Sequence, residues 1–331
     1  SEGADIKLKE GDFEQGRNFT NKIWNSFRFL ALHFDKEDIA NATLANIQNA
    51  RNRLELVDRW VLGRLNYAIR KMTAAIEQFH FHEAMDALYN FFWKEFCDWY
   101  LELLKARLNG EDQSAKRLAL SVALYVMKHT MKLLHPIAPF IAEHVWQELG
   151  RDEAESIMLA AWPEPLAEFE SANDVSDFCL LQDLIVAVRN IRGEMNVPVS
   201  KTADVLITGG NGQNPAIITQ HEGYFAQLAR VKQLTYTREA ERPKLAATAV
   251  VRSFEVYVPL AGLIDVEVER ERLRKEQTRL EKLLEGLNQR LYNQDFIGKA
   301  PKEVVERERQ KKTEFESNLQ RLVSSLRHLS E

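Results

Sequence analysis

The residues best suited to chemistry in this chain lie within one short stretch: Asn21, Lys22, Asn25, Arg28 and Phe29, with Asn18 one turn earlier. Amide, ammonium and guanidinium groups beside an aromatic ring make a surface able to hold unstacked RNA bases. A solvated helix face ordinarily carries Glu and Lys, and several Asn in one helix cost propensity, so something other than local stability favours them. On the residues alone, the competing account is a core helix with a polar back. Elsewhere the signals for catalysis are poor. The phosphate-cradling, dinucleotide, zinc-protease and serine-hydrolase motifs do not occur. His80 and His82, beside Glu83, do not share a helix face as metal ligands would, and Cys97-Asp98 lacks an adjacent base. His129 and His135 sit among Met and Leu and read as bundle histidines. The surface this pattern describes binds; it does not react.

The polar set needs a helix to carry it. Phe19, Ile23, Phe27 and Leu30 form an apolar stripe at helical spacing on another side of the same segment, which Asp12 can cap. A weak short helix follows at 37–49. Long helices are expected at 56–79, marked by Trp60, Leu65, Ile69, Met72 and Ile76, at 83–108, rich in Phe and Trp, and at 114–134. Gly110 ends the second of these, and Pro136 breaks the chain before a last short helix at 139–149. The expected fold class is mainly α: an antiparallel bundle, here 1–165, closed by an extended 156–159 and Trp162-Pro163. An acidic linker, 164–174, precedes a helix at 175–194 and a small α+β module over 175–265, with strands at 203–208, 231–236, 247–252 and 254–259 and a helix at 215–228.

From Glu267 the composition changes again. Leu273, Leu280, Leu284, Leu287 and Leu291, then Phe315, Leu319, Leu322, Leu326 and Leu329, recur at three- and four-residue steps among dense Glu, Lys and Arg. Residues 266–331 are therefore expected to fold back as an antiparallel coiled-coil hairpin, with only one apolar seam and so protruding.

Bulk properties fit a soluble globular protein. A net charge of −5 argues against a generally cationic nucleic-acid binder, so an RNA reading must rest on placed residues. No apolar run approaches the length of a membrane span, and no signal peptide is legible. Cys97 and Cys179 lie in apolar helical patterns and are expected as buried, unbridged thiols of a reducing cytoplasm.

The stretches GADIKL, GRNFTNKIWNSFRF and VDRWVLGRLN resemble the start of the anticodon-binding domain of class I aminoacyl-tRNA synthetases. FFWKEFCDWYLELLK, HPIAPFIAEHVWQEL, SIMLAAWPEP, VRNIRGEMNVP and FIGKAPKEVVERE narrow the resemblance to the valyl branch, over nearly the whole chain. The resemblance implies a tRNA-binding C-terminal portion, acting as a monomer in the cytoplasm on valine tRNA, with no DNA or membrane partner. It also implies that the ATP-dependent core and the editing domain lie elsewhere: the His-Ile-Gly-His and Lys-Met-Ser-Lys-Ser signatures are absent, and no cofactor is expected in this portion. Carried onto these residues, Phe29 is expected to stack a base, Asn21, Asn25 and Arg28 to bond base edges or backbone, and Lys7 and Lys22 to hold phosphates. Arg290, Lys299, Lys302, Lys311 and Lys312 are expected on the sugar-phosphate backbone at the tRNA elbow, with Arg189 and Arg192 as weaker candidates. Gly11 stands where some relatives carry a basic residue. The alternatives are an α-helical scaffold whose hairpin recruits a protein, or the matching part of an isoleucyl or leucyl relative.

Overall fold

A computed structural model describes residues 10–150, 154–210, 214–293 and 301–329. The chain forms two units, Ser1–Cys179 and Leu180–Glu331, and each is described by itself.

The first unit is a helical bundle. Its helices are α1 (Glu10–Ala31), α2 (Lys36–Asn41), α3 (Leu44–Asn49), α4 (Leu56–Glu77), α5 (Phe81–Tyr89), α6 (Leu101–Leu108), α7 (Gln113–Leu134) and α8 (Pro139–Glu148). The apolar stripe of α1 is buried as its spacing requires: Phe19, Ile23, Phe27 and Leu30 all face the core. The described part of α1 already includes Glu10, so Asp12 lies within the helix and not ahead of it. The 37–49 segment breaks into two helices because Thr43 caps the second, accepting a hydrogen bond from Asn46 N at 3.3 Å. Residues 156–159 form a 3-10 turn instead of an extended run, with Ser156 Oγ accepting from Met158 N.

Two departures bear on the site. The helix expected over 83–108 is not uniform: between α5 and α6, Asn90–Tyr100 is π-helical. The acidic stretch expected as a linker is strapped to α4. Asn66, 1% exposed, donates to Leu166 O at 2.6 Å and accepts from Leu166 N at 2.9 Å. Phe169 is buried, and Gly63 lets its carbonyl approach so closely that a Cβ there would stand 3.0 Å from the oxygen. Composition marks this segment as polar, but a buried amide bonded through both edges, a buried ring, and ion pairs of Asp174 with Arg59 and of Glu170 with Arg70 hold it. Deeper in the bundle, fully buried Asp58 accepts from Arg107 Nη1 at 2.7 and 2.8 Å and from Tyr100 Oη at 3.0 Å. The helix α9 (Ala172–Glu194) carries the division between the units; Phe178, on the first unit's side, stacks on Trp60 with centroids 4.2 Å apart.

The second unit holds a four-stranded sheet, β1 (Ala203–Gly209), β2 (Val231–Thr237), β3 (Ala246–Val251) and β4 (Phe254–Pro259), in the order β2-β1-β4-β3. Strands β1 and β2 are parallel and the other pairs antiparallel. A crossover of two short helices, α10 (Ala216–Gln220) and α11 (Glu222–Ala229), replaces the single expected helix and joins the parallel pair. Asp265 caps α12 (Val266–Tyr292), which pairs with α13 (Lys302–His328). Leu273, Leu280, Leu284 and Leu287 are buried along their seam. Glu308 also lies in that seam, 9% exposed.

Candidate nucleic-acid interface

Helix α1 presents its polar residues as a ridge. Asn18, Asn21, Asn25 and Arg28 are exposed, and Leu32 continues the ridge at 82% exposure. Spacings of three and four residues put these side chains on one side, opposite the buried stripe. Arg28 also lies in the last turn, where a cation complements the helix dipole. Lys22 and Phe29 flank the ridge and are half-buried.

The flank is built by the π-helical segment and α6. Phe29 meets His33 edge-on at 5.2 Å, and the Lys105 ammonium stands 5.8 Å over its ring. Lys105 is itself paired with Glu102 at 2.6 Å. Phe29 is therefore neither a core residue nor a free one: part of its ring is held and part is open, which is what a stacking platform requires. Lys22 donates to Asp98 at 2.8 Å and lies 5.3 Å over the Trp93 ring. Burial disfavours its charged form, but the hydrogen bond to Asp98 and nearby negative charge outweigh that, and its pKa is raised. Lys22 stays charged, yet its charge is shared with Asp98, so a phosphate there would compete with a carboxylate. Burial, with the charge of Lys116, lowers the His33 pKa and keeps that imidazole neutral beside Phe29. Beneath this surface Ser26 Oγ lies 3.0 Å from Cys97 Sγ, and burial pushes the Cys97 thiol up to about 12. Cys179 is only half-buried, unlike the expectation.

The π-helical geometry explains why Trp93 and Asp98 act together. In an α-helix, residues five apart point roughly 140° away from each other, at about 100° per residue. With i→i+5 hydrogen bonding they come back to nearly one side, and both meet Lys22.

The remaining candidates divide by location. Lys7 and Lys299 lie outside the described residues, and of Lys302 only the backbone, the first residue of α13, is described. Arg290 lies 3.8 Å and Lys311 2.8 Å from the buried carboxylate of Glu308, while Lys312 pairs with Glu316 at 3.7 Å. Arg290 and Lys311 remain exposed. Arg189 donates to Leu228 O at 2.8 Å, and Arg192, 8% exposed, donates to Pro198 O and Lys201 O, which are structural duties. His80 lies 3.5 Å from Glu83, and His82 3.5 Å from Asp86. Reasoning from the residues overlooked Trp93, Asp98, Lys105 and His33 as builders of the α1 flank. His33, four residues after Phe29, was the one with a local signal.

Comparison with known proteins places this geometry in context. Residues 58–207 match the anticodon-binding domain of tRNA ligase, and residues 265–330 match the valyl tRNA synthetase tRNA binding arm. The valine–tRNA ligase of Bacillus cereus is 38% identical over 313 residues, covering 95% of this chain and 35% of that protein. That of Syntrophotalea carbinolica is 38% identical over 331 residues, covering 100% of this chain and 36% of its own. The Geobacter sulfurreducens enzyme is 38% identical over 330 residues, 98% of this chain and 36% of that one. The chain thus spans about a third of the length of the curated relatives it matches. Helix α1 precedes the first family match but falls within the stretch shared with the Syntrophotalea protein over its whole length.

Proposed function

We propose that this chain, which belongs to the valyl-tRNA synthetase family, binds tRNA through its bundle and its arm, as the part that serves a valine–tRNA ligase activity. The observation that carries this reading is the α1 ridge: exposed Asn21, Asn25 and Arg28 beside a half-open Phe29 ring, all on a helix whose other side is locked in the core. Single-stranded loops are read by splaying bases onto aromatic planes and bonding their edges, and this ridge supplies both parts. Phe29 stacks a base of the anticodon loop, and Asn21, Asn25 and Arg28 donate to base edges or the adjoining backbone. Lys22 reaches a phosphate by exchanging Asp98 for it. Arg290, Lys311 and Lys312 hold sugar-phosphate, which positions the tRNA without reading its sequence. Domain boundaries at 165–175 and 265–266 divide these roles. The chain acts as a monomer in the cytoplasm, its tRNA is that of valine, and ATP-driven attachment of valine belongs to the parts of the relatives outside the shared third.

Filter binding of the purified chain to tRNA transcripts tests the reading. Valine tRNA is expected to bind more tightly than the same transcript with its anticodon exchanged. Equal binding of the two refutes anticodon recognition, and no binding of either leaves the chain as an α-helical scaffold.

A further inference from the structure

In the second unit, the loop that follows α9 closes over one of that helix's own arginines. Arg192 is 8% exposed and donates through Nη2 to Lys201 O at 2.8 Å and to Pro198 O at 3.3 Å. Its Nη1 is enclosed and has no hydrogen-bond partner among the described residues. A buried guanidinium is ordinarily matched by a carboxylate, as Arg107 is by Asp58 in the first unit. Among the described residues Arg192 has no such partner. The neighbouring charge that acts on it is a second cation: burial, and then Arg230, lower its pKa. Both side chains remain cationic at neutral pH. The frame that brings them together is fixed. Ala203 N donates to Arg230 O at 3.0 Å, and Lys201 Nζ donates to Gly262 O and Leu263 O, each at 2.9 Å.

The backbone around Arg230 supplies an independent observation. Arg230 ends α11 with φ at 53°, the left-handed conformation in which glycine is the usual residue after a helix. A cation there complements the helix dipole, but any position in the last turn would do so without the left-handed cost. Two residues on, the register of β1 and β2 passes from Ala203↔Val231 to Asp204↔Gln233, so Lys232 is an extra residue in the strand. Such bulges are rare in parallel pairs, and they re-aim a side chain. Each irregularity carries an exposed cation, and neither Arg230 nor Lys232 forms an ion pair among the described residues.

We propose that Arg192, Arg230 and Lys232 form a phosphate-binding site, with Arg230 and Lys232 bonding the anion from the surface and the unbalanced Arg192 guanidinium supplying buried positive charge beside them. Guanidinium and ammonium groups together suit a phosphate, the first as a planar fork and the second as a point charge. An anion there also balances a buried charge that the described residues leave unpaired. The phosphate comes either from the backbone of bound RNA or from free phosphate, which present the same oxygens. Only the first source rests on the tRNA reading above, and the site lies apart from both the α1 ridge and the arm.

The test uses the double variant Arg230→Gly, Lys232→Gln in the full chain. Glycine suits the left-handed position, so loss of fold does not mimic loss of binding. A second double variant, Arg238→Gln, Lys244→Gln, removes the same charge from exposed positions of the same unit. Two measurements separate the sources. In filter binding, an RNA phosphate predicts affinity about tenfold weaker for every tRNA transcript, with the slope of log affinity against log salt lowered by about 1. In melting, free phosphate predicts a larger rise for the unaltered chain than for the variant when phosphate replaces chloride at equal ionic strength. The general stabilising effect of phosphate is common to both proteins. Either response, absent from the second double variant, supports the site and names its source. If the first variant matches the unaltered chain in both measurements, or the second variant loses as much, the site is overturned. Weak binding by Phe29→Ala in the same series then leaves the tRNA reading standing. If the unaltered chain binds no tRNA, that reading fails and the melting measurement alone decides the site.

Discussion

Helix α1 shows its polar groups from a helix locked on its far side into an aromatic core, whereas the arm shows its cations from two helices sharing a single apolar seam. On α1 the amides are exposed and Phe29 is braced by His33 and Lys105. In the arm, Arg290, Lys311 and Lys312 each face a carboxylate of the arm itself. The difference suits the two tasks proposed for these regions. Reading bases needs groups fixed to within a fraction of an ångström, and a packed core supplies that rigidity. Holding a phosphate backbone needs charge on long, adjustable side chains, and a solvated hairpin is sufficient.

The largest expected effect concerns rigidity. Asp58→Ala leaves Arg107 without its buried partner, and the bundle should lose about 3 kcal/mol or more in urea unfolding. Glu308→Ala in the arm should cost less than about 1 kcal/mol, because Arg290 and Lys311 can return to water. Comparable losses would erase the contrast between a rigid and a pliable half. Next, Phe29→Ala should weaken tRNA binding by about 1–3 kcal/mol with the salt dependence unchanged, measured by filter binding across a salt series. Lys312→Ala should act the other way, lowering the slope of log affinity against log salt by about 1 and affecting all tRNA sequences alike. A sequence-selective effect from Lys312 would assign base reading to the arm.

Two smaller effects probe the α1 flank. Because the folded His33 pKa is lowered below 6.5, the unfolded chain takes up its proton first as the pH falls. The stability that neutral His33 contributes is complete above pH 6.5 and is lost as the pH falls through the lower folded value. A histidine titration by NMR, paired with unfolding at about pH 7 and about pH 5, checks the sign. Lastly, Cys97, buried and raised to about 12, should resist thiol reagents in the native state, while half-buried Cys179 reacts first. Mass spectrometry after brief labelling distinguishes them.

Much of this molecule was legible beforehand, and for local reasons. The α1 stripe, the Leu seam of the arm and the four strands follow from short-range periodicity, and each lies within a residue or two of its expected place. The small errors are also local: the Thr43 cap that splits 36–49, and the place of Asp12 within α1. Larger differences come from partners distant in the chain. The strap at Leu166 depends on Asn66, 100 residues earlier, and no pattern within 164–174 announces it.

For the candidate site, the chain on its own determined which side chains of α1 face outward and which inward, because that depends only on the 3.6-residue period and the apolar stripe. It also determined the residue types able to hold RNA. Tertiary structure decided what those side chains meet. Lys22 is committed to Asp98 and Trp93, and Phe29 is braced by Lys105. The reason is the π-helical turn: it carries Trp93 and Asp98 to one side at a spacing that an α-helical reading places far apart.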